Sequence, residues 1–139
     1  MPVTLSDEAL RYIQLFEDET EVAATDCVVE DERLVFVVPP GEMGKAIGPD
    51  GRHVKRVERQ VGRRVELVED ADTPEAFVAN AFAPAAVYHV TISENDDRVA
   101  YVEVADEDRG VAIGTDGRTI DRARTLAERH YDVDDVELT

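Results

Sequence analysis

The residues of this chain best suited to chemistry lie in two glycine-rich loops of nearly the same sequence. Residues 44–54 are GKAIGPDGRHV and residues 110–120 are GVAIGTDGRTI, so that seven of eleven positions are identical at an offset of 66 residues. Glycines allow sharp turns and leave the main chain bare for a ligand. Backbone N–H groups in such a loop, followed by a helix N-terminus, can bind phosphate groups. The pattern therefore predicts a phosphate-binding element that occurs twice.

Basic side chains are concentrated beside both loops, although the chain as a whole is acidic. The 139 residues include 15 Lys and Arg against 32 Asp and Glu, for a net charge of −17. Residues 45–64 nevertheless carry +5 and residues 109–129 carry +2, whereas the rest of the chain carries −24. A charged segment is usually only solvated surface. Its coincidence with the loop in both copies favours a binding function.

The helix predicted after each loop has an apolar face and a separate cationic row. In the first copy the core face is predicted to contain Val54, Val57 and Val61, and the row to contain Arg52, Lys55, Arg56, Arg59 and Arg63. In the second copy the core face is predicted to contain Ile120, Ala123 and Ala127, and the row to contain Arg118, Arg122 and Arg129.

Other chemistry finds little support in the sequence. A P-loop requires Gly-Lys-Ser/Thr, but Gly44-Lys45 is followed by Ala46. The dinucleotide-binding pattern requires G-x-G-x-x-G directly after a strand, and the spacing here is G-x-x-x-G-x-x-G. The histidines and the single cysteine, Cys27, show no zinc-ligand spacing. We therefore predict no catalytic residues, no metal and no cofactor.

The elements that must position the loops recur in the same order in both halves. Each half is predicted to contain helix, strand, strand, short helix, glycine loop, helix and strand. In the first half, Ser6 is predicted to cap the first helix, and Gly62 to end the helix after the loop. The second half is predicted to begin at Pro74, which suits a first helical turn. The repeat predicts two small domains, residues 1–70 and 74–139.

The segments AIGPDGRHV and AIGTDGRTI resemble the GXXG motif of KH domains, which bind about four nucleotides of single-stranded RNA or DNA. The element order is similar to the type II variant, and two copies filling the chain resemble the archaeal NusA-like transcription termination and antitermination family. This resemblance implies an α+β fold of two tandem type II KH domains, with the helices packed on one face of a three-stranded sheet. It implies a function in transcription elongation or termination, with single-stranded RNA as partner and RNA polymerase as a second candidate partner.

The resemblance also implies a set of RNA-binding residues. The glycines would let the RNA backbone approach, the Ile and Val residues would line a groove for bases, and the cations would contact phosphates or base edges. The set is Lys45, Ile47, Gly48, Pro49, Asp50, Gly51, Arg52, Val54, Lys55 and Arg56 in the first copy, and Ile113, Gly114, Thr115, Asp116, Gly117, Arg118, Ile120 and Arg122 in the second.

The acidic residues between the paired glycines depart from the usual KH pattern. Asp50 and Asp116 should repel a phosphate. Either the RNA affinity is weak, or these side chains turn aside to cap the following helix. The departure favours an alternative function, a protein-interaction module that docks RNA polymerase or ribosomal components on a KH scaffold. A nucleotide-dependent enzyme is a third, weaker hypothesis.

The acidic composition predicts that the protein is adapted to a cytoplasm of very high salt, as in halophilic archaea, because counterions must screen the repulsion among its negative charges. Cys27 lies in an apolar run and is predicted to be a buried, inert thiol. The sequence shows no signal peptide. Its apolar runs, such as residues 34–38, are too short to cross a bilayer. We therefore expect a soluble, cytoplasmic protein without a membrane partner.

Overall fold

The computed structural model describes residues 3–139, in which residues 4–70 and 71–139 form two compact units. The first unit contains α1 (Asp7–Thr20), β1 (Asp26–Val29), β2 (Arg33–Val38), α2 (Met43–Ile47), α3 (Arg52–Val61) and β3 (Arg64–Glu69). The second contains α4 (Pro74–Ala81), β4 (Val87–Glu94), β5 (Arg98–Val104), α5 (Arg109–Ile113), α6 (Arg118–Tyr131) and β6 (Asp135–Leu138). The predicted order of elements is therefore confirmed in both halves.

Each unit contains a three-stranded sheet of the same topology. The strand orders are β1-β2-β3 and β4-β5-β6, and in each sheet the first pair is antiparallel and the second pair is parallel. A parallel neighbour cannot be reached by a hairpin and requires a crossover connection. The crossover consists of α2 and α3 in the first unit and of α5 and α6 in the second. The glycine loop therefore lies in the middle of each crossover.

The core of the first unit joins α1 and α3 to alternate residues of β2. Phe36 is fully buried and stacks on Phe16 with ring centroids 4.4 Å apart. From α3, Val57 is fully buried, and Val54 and Val61 pack against the same cluster partly buried. The helix face predicted from the valine spacing is thus the one that packs on the sheet, which leaves the cationic row on the opposite side.

In the second unit the long helix α6 forms much of the core. Ile120, Ala123 and Ala127 are buried, as their spacing predicts. The ring of Phe77 in α4 contacts the ring of Tyr131 at a centroid distance of 5.4 Å. The Tyr131 hydroxyl donates to the carbonyl oxygen of Ala71 at 3.0 Å, which ties the end of α6 to the segment before α4.

Local signals define several helix ends. The Ser6 hydroxyl accepts a hydrogen bond from the Ala9 N–H at 3.0 Å and caps α1. Thr73 caps α4 in the same way, with Pro74 in the first turn. The predicted stop of α3 at Gly62 is confirmed, because Gly62 has the left-handed conformation (φ 69°, ψ 25°) typical of a helix C-terminus.

Candidate nucleic-acid interface

The two glycine loops have almost the same backbone conformation. Gly48 ends α2 with φ 77° and ψ 172°, and Gly114 ends α5 with φ 81° and ψ 167°. A single 3₁₀ turn follows in each copy, and its last glycine donates its N–H to the carbonyl oxygen of the first glycine at 3.1 Å. The next helix then begins directly. The sequence repeat is therefore a structural repeat at the level of single dihedral angles.

The first glycine of each loop is required by geometry. Its φ and ψ lie in a region that only glycine adopts without strain. A Cβ atom at Gly48 would lie 2.5 Å from the His53 ring, and one at Gly114 would lie 2.5 Å from the Thr119 hydroxyl and 2.7 Å from the Thr119 backbone nitrogen. This glycine therefore lets the loop pack against the first turn of the next helix.

The second glycine faces more open space. A Cβ atom at Gly51 would have only Lys55 Cε within 4 Å, at 3.9 Å, and one at Gly117 would lie 3.6 Å from Asp121 Oδ2. Both glycines are left-handed and occupy the N-cap position of α3 and α6. The bare backbone on this side is accessible at the positively polarised end of a helix, which is the arrangement that binds phosphates.

The capping role considered for Asp50 and Asp116 is wrong. Across residues 3–139, no side chain caps α3 or α6, because the N-cap positions are held by glycines. Asp50 (φ 56°) and Asp116 (φ 55°) instead adopt the left-handed conformation inside the 3₁₀ turn, and both are exposed. Asp residues tolerate this conformation better than most. Both carboxylates therefore stay on the loop surface, together with the exposed Pro49 and Thr115.

The cations of the first copy form an exposed surface around the loop, which we call the first cationic surface: Lys45, Arg52, Lys55 and Arg56. Within the part of the chain that the structure describes, none of these four side chains forms an ion pair. The Lys55 ammonium donates to the Asp50 carbonyl oxygen at 3.3 Å, so it lies against the loop. Four cations without acidic partners in so acidic a chain are available to an anionic ligand.

In the second copy, Arg122 is buried, although it was predicted to belong to the cationic row. Its residue is only 8% exposed, and its guanidinium donates to the carbonyl oxygens of Ala81 and Ala83 at 2.9–3.2 Å. These carbonyls lie at the C-terminus of α4, where a cation also interacts favourably with the helix dipole. Arg122 therefore joins α6 to α4, and little of its side chain is exposed. Arg118 is half-buried at the start of α6.

Of the four apolar residues predicted to bind RNA, two are exposed and two contribute to the core. Ile47 and Ile113 are 38% and 42% exposed beside their loops. Val54 is partly buried and Ile120 is buried, so they support the floor of each site rather than its surface. Sequence reasoning missed Val111, which is 44% exposed one turn before the second loop. The signal that could have identified it is its alignment with Lys45 in the first copy.

Comparisons with known proteins agree with this geometry. A family model described as "KH domain" matches residues 11–73, and one described as "NusA-like second KH domain" matches residues 74–138. The chain is 62% identical, over 99% of both chains, to the "Probable transcription termination protein NusA" of Halococcus morrhuae. It is 58% identical, over the whole of both chains, to the protein of the same name from Halobacterium salinarum.

The chain belongs to the archaeal NusA-like family of tandem KH proteins. A solved structure described as "Crystal structure of APE1850" superposes on this NusA-like chain with a TM-score of 0.88 at 33% identity, covering 97% of this chain and all of that one. The predicted α+β fold of two KH domains is thereby confirmed. The two relatives named above come from halophilic archaea, in agreement with the high-salt interpretation of the composition.

Two further observations concern other kinds of site in the NusA-like chain. Among residues 3–139, no cluster of three or more His, Cys, Asp or Glu side chains has an arrangement that could hold a metal ion. None of the helices formed by these residues combines the length and the apolar composition needed to cross a membrane.

Proposed function

We propose that this chain binds single-stranded RNA at its glycine loops and acts by binding, not by catalysis, in transcription elongation and termination. The observation that carries the proposal is the first cationic surface, whose four exposed cations surround a bare glycine loop in a NusA-like KH unit. Each KH domain would correspond to one compact unit, residues 4–70 and 71–139. We expect the protein to work in the cytoplasm, in contact with nascent transcripts.

The proposed binding mode uses the backbone first and side chains second. An RNA phosphate would approach the open side of Gly51 at the N-terminus of α3, where the helix dipole favours an anion. Lys55 and Arg52 would neutralise the neighbouring phosphates. The exposed Ile47 would contact a base beside the loop. Asp50 lowers the affinity of this site, so the surrounding cations must outweigh one carboxylate.

The second candidate function is a protein-interaction module, which the exposed Asp50 and Asp116 favour. The family relationship favours RNA binding over this alternative as the main function. The two functions are compatible, since a transcription factor also has to meet the transcription machinery. RNA polymerase is therefore the proposed protein partner, and the acidic surface away from the loops is the region proposed to contact it.

A matched pair of substitutions at Gly51 tests RNA binding at the loop. Gly51→Asn and Gly51→Asp have nearly the same volume, and both residues tolerate the left-handed backbone that Gly51 adopts. We expect Gly51→Asp to bind a fluorescein-labelled single-stranded RNA of randomised sequence about tenfold more weakly than Gly51→Asn, a difference of about 1.4 kcal/mol. Fluorescence anisotropy in concentrated KCl measures the affinities.

Thermal unfolding of the two variants serves as the folding control and should give equal midpoints. If the folded wild-type protein binds no RNA, the proposed function is wrong. If it binds RNA but the Asn and Asp variants bind equally well, the loop is not the contact. Retained binding of purified RNA polymerase by Gly51→Asp would separate the RNA contact from the protein contact.

A further inference from the structure

The two glycine loops differ in charge at the position that faces the second glycine. In the first copy this position is Lys55, whose Cε lies 3.9 Å from the place where a Gly51 Cβ would be. In the second copy the aligned residue is Asp121, whose Oδ2 lies 3.6 Å from the corresponding place at Gly117. The same point on two nearly superposable loops therefore carries an ammonium in one copy and a carboxylate in the other.

Two further members of the first cationic surface are also lost or altered in the second copy, whereas Arg52 is retained as the half-buried Arg118. Lys45 aligns with Val111, which is apolar and exposed. Exposed Arg56 aligns with Arg122, whose guanidinium is buried against the end of α4. The next cation along α3, Arg59, aligns with a threonine. Three of the positions that offer positive charge to a phosphate in the first copy thus offer none in the second.

Neighbouring ion pairs strengthen the contrast. Asp121 lies 3.6 Å from a guanidinium nitrogen of Arg124, and the Nε of the same guanidinium lies 3.1 Å from Asp135 Oδ1. Arg124 is thereby directed toward β6, with a further hydrogen bond from its Nε to the Val136 carbonyl oxygen at 3.2 Å. Its charge is balanced by carboxylates of its own unit and adds little attraction for a phosphate.

Apolar side chains take the place of the missing charge. Val111 and Ile113 are 44% and 42% exposed in α5, directly before the second loop. The first copy has Lys45 and Ile47 at these positions, so Val111 is the apolar side chain that the second copy adds. An exposed aliphatic side chain can cover the face or edge of a nucleobase. Contacts of this kind release no counterions and are therefore far less sensitive to salt than phosphate contacts.

We propose that the two KH copies divide the recognition of RNA. The first copy supplies the phosphate contacts in addition to the base contact of Ile47, and the second copy contacts bases only, through the apolar side chains of Val111 and Ile113. This inference rests on the proposed function, because it concerns the same bound RNA. The first copy accounts for the salt dependence of binding. The second copy supplies affinity that persists in concentrated salt and favours the bases that fit against Val111 and Ile113.

Single-charge variants at the two aligned positions test the division. Lys55 is exposed and Asp121 is 62% exposed in its side chain, so Lys55→Gln and Asp121→Asn should both fold. RNA affinity is measured by anisotropy over a series of KCl concentrations with the same labelled random RNA. For Lys55→Gln we expect a several-fold loss of affinity and a slope of log K against log salt that is shallower by about 0.7 for one lost phosphate contact. For Asp121→Asn we expect no loss of affinity.

The apolar half of the proposal has its own variant. Ile113→Ser should weaken RNA binding several-fold at every salt concentration while leaving the slope unchanged, and Val111→Ser should act in the same direction. Thermal unfolding in the same buffers confirms that each variant is folded.

The outcomes separate the inference from the proposed function. Absence of RNA binding by the folded wild-type protein contradicts both. If the wild type binds but Lys55→Gln leaves the slope unchanged, or Ile113→Ser leaves the affinity unchanged, the division of recognition is wrong and RNA binding itself stands. A loss of affinity in Asp121→Asn as large as that in Lys55→Gln overturns the division as well.

Discussion

At the scale of single residues, the two glycines of each GXXG motif have different physical roles. Gly48 and Gly114 permit close packing of the loop on the next helix, whereas Gly51 and Gly117 keep the backbone open on the outside. A sequence pattern that treats these glycines alike conceals this difference. We expect the first pair to affect mainly stability and the second pair to affect mainly ligand binding.

Alanine substitutions should reveal these roles in the second copy. We expect Gly114→Ala to lower the free energy of unfolding by about 3 kcal/mol, because a strained backbone adds to a clash with the Thr119 backbone nitrogen at 2.7 Å. Gly117→Ala should lose only about 1 kcal/mol, the usual penalty for a left-handed alanine. Urea denaturation in concentrated KCl measures both values, and equal losses would contradict the assignment.

The aligned pair Arg56 and Arg122 gives a second prediction at this scale. Arg122→Gln should lower the free energy of unfolding by about 2 kcal/mol or more, because the buried carbonyl oxygen of Ala81 and the partly buried one of Ala83 lose a charged donor. Arg56→Gln, at an exposed position, should change stability by less than about 0.5 kcal/mol and reduce RNA affinity instead.

Urea unfolding measures the stability of both Arg variants, and fluorescence anisotropy measures their RNA affinity. The assignment fails if Arg56→Gln is the less stable of the two. It also fails if Arg122→Gln keeps wild-type stability while losing RNA affinity.

At the scale of elements, the glycine loop is held by the crossover that joins the two parallel strands. The apolar face of α3 packs on the sheet through Val57, and this packing orients the cations of the opposite face outward. The α1 helix closes the same core through Phe16, so its stability contributes to the rigidity of the site. A local change at the start of α1 therefore tests how the scaffold is stabilised.

We predict that Ser6→Ala lowers the free energy of unfolding by about 1 kcal/mol, since the Ala9 N–H loses its acceptor at 3.0 Å. Ser6→Asp should retain most of the stability, because Asp also caps helices and its charge suits the positive end of α1. Urea denaturation measures the difference. Equal destabilisation by both variants would show that the hydroxyl does not act as a cap.

At the scale of the whole molecule, the net charge of −17 makes salt part of the folding equilibrium. Charges on a compact surface repel one another more strongly than in an unfolded chain, and counterions reduce this repulsion. The screening length falls from about 10 Å at 0.1 M to about 3 Å at 1 M salt. Contacts with a ligand are weakened by the same screening, so RNA binding in such a protein needs close, partly apolar contacts.

We therefore predict that the thermal midpoint rises continuously as KCl increases from about 0.1 M to about 1 M, the range in which screening changes most. Sucrose stabilises compact states by exclusion from the protein surface without screening charges. At matched osmolality, sucrose should raise the midpoint less than KCl. A midpoint that does not depend on KCl, or that sucrose raises equally, would contradict an electrostatic origin.

The sequence alone determined the duplication, the order of elements, the valine face of α3 and the caps at Ser6 and Gly62. These features depend on residues close together in the chain, through helical periodicity and the conformational preferences of glycine and serine. A repeat also strengthens the prediction made from each copy, because both segments must fit the same pattern of elements.

Only the tertiary structure decided which members of the repeated pattern are available to a ligand. Arg56 and Arg122 share a position in the repeat, but only Arg122 meets the end of a neighbouring helix. Asp50 and Asp116 lie where a helix cap was plausible. Both have a left-handed backbone, however, and the following glycine occupies the N-cap position. In each case, the role of a side chain depends on what packs against it, and residues distant in the sequence supply those neighbours.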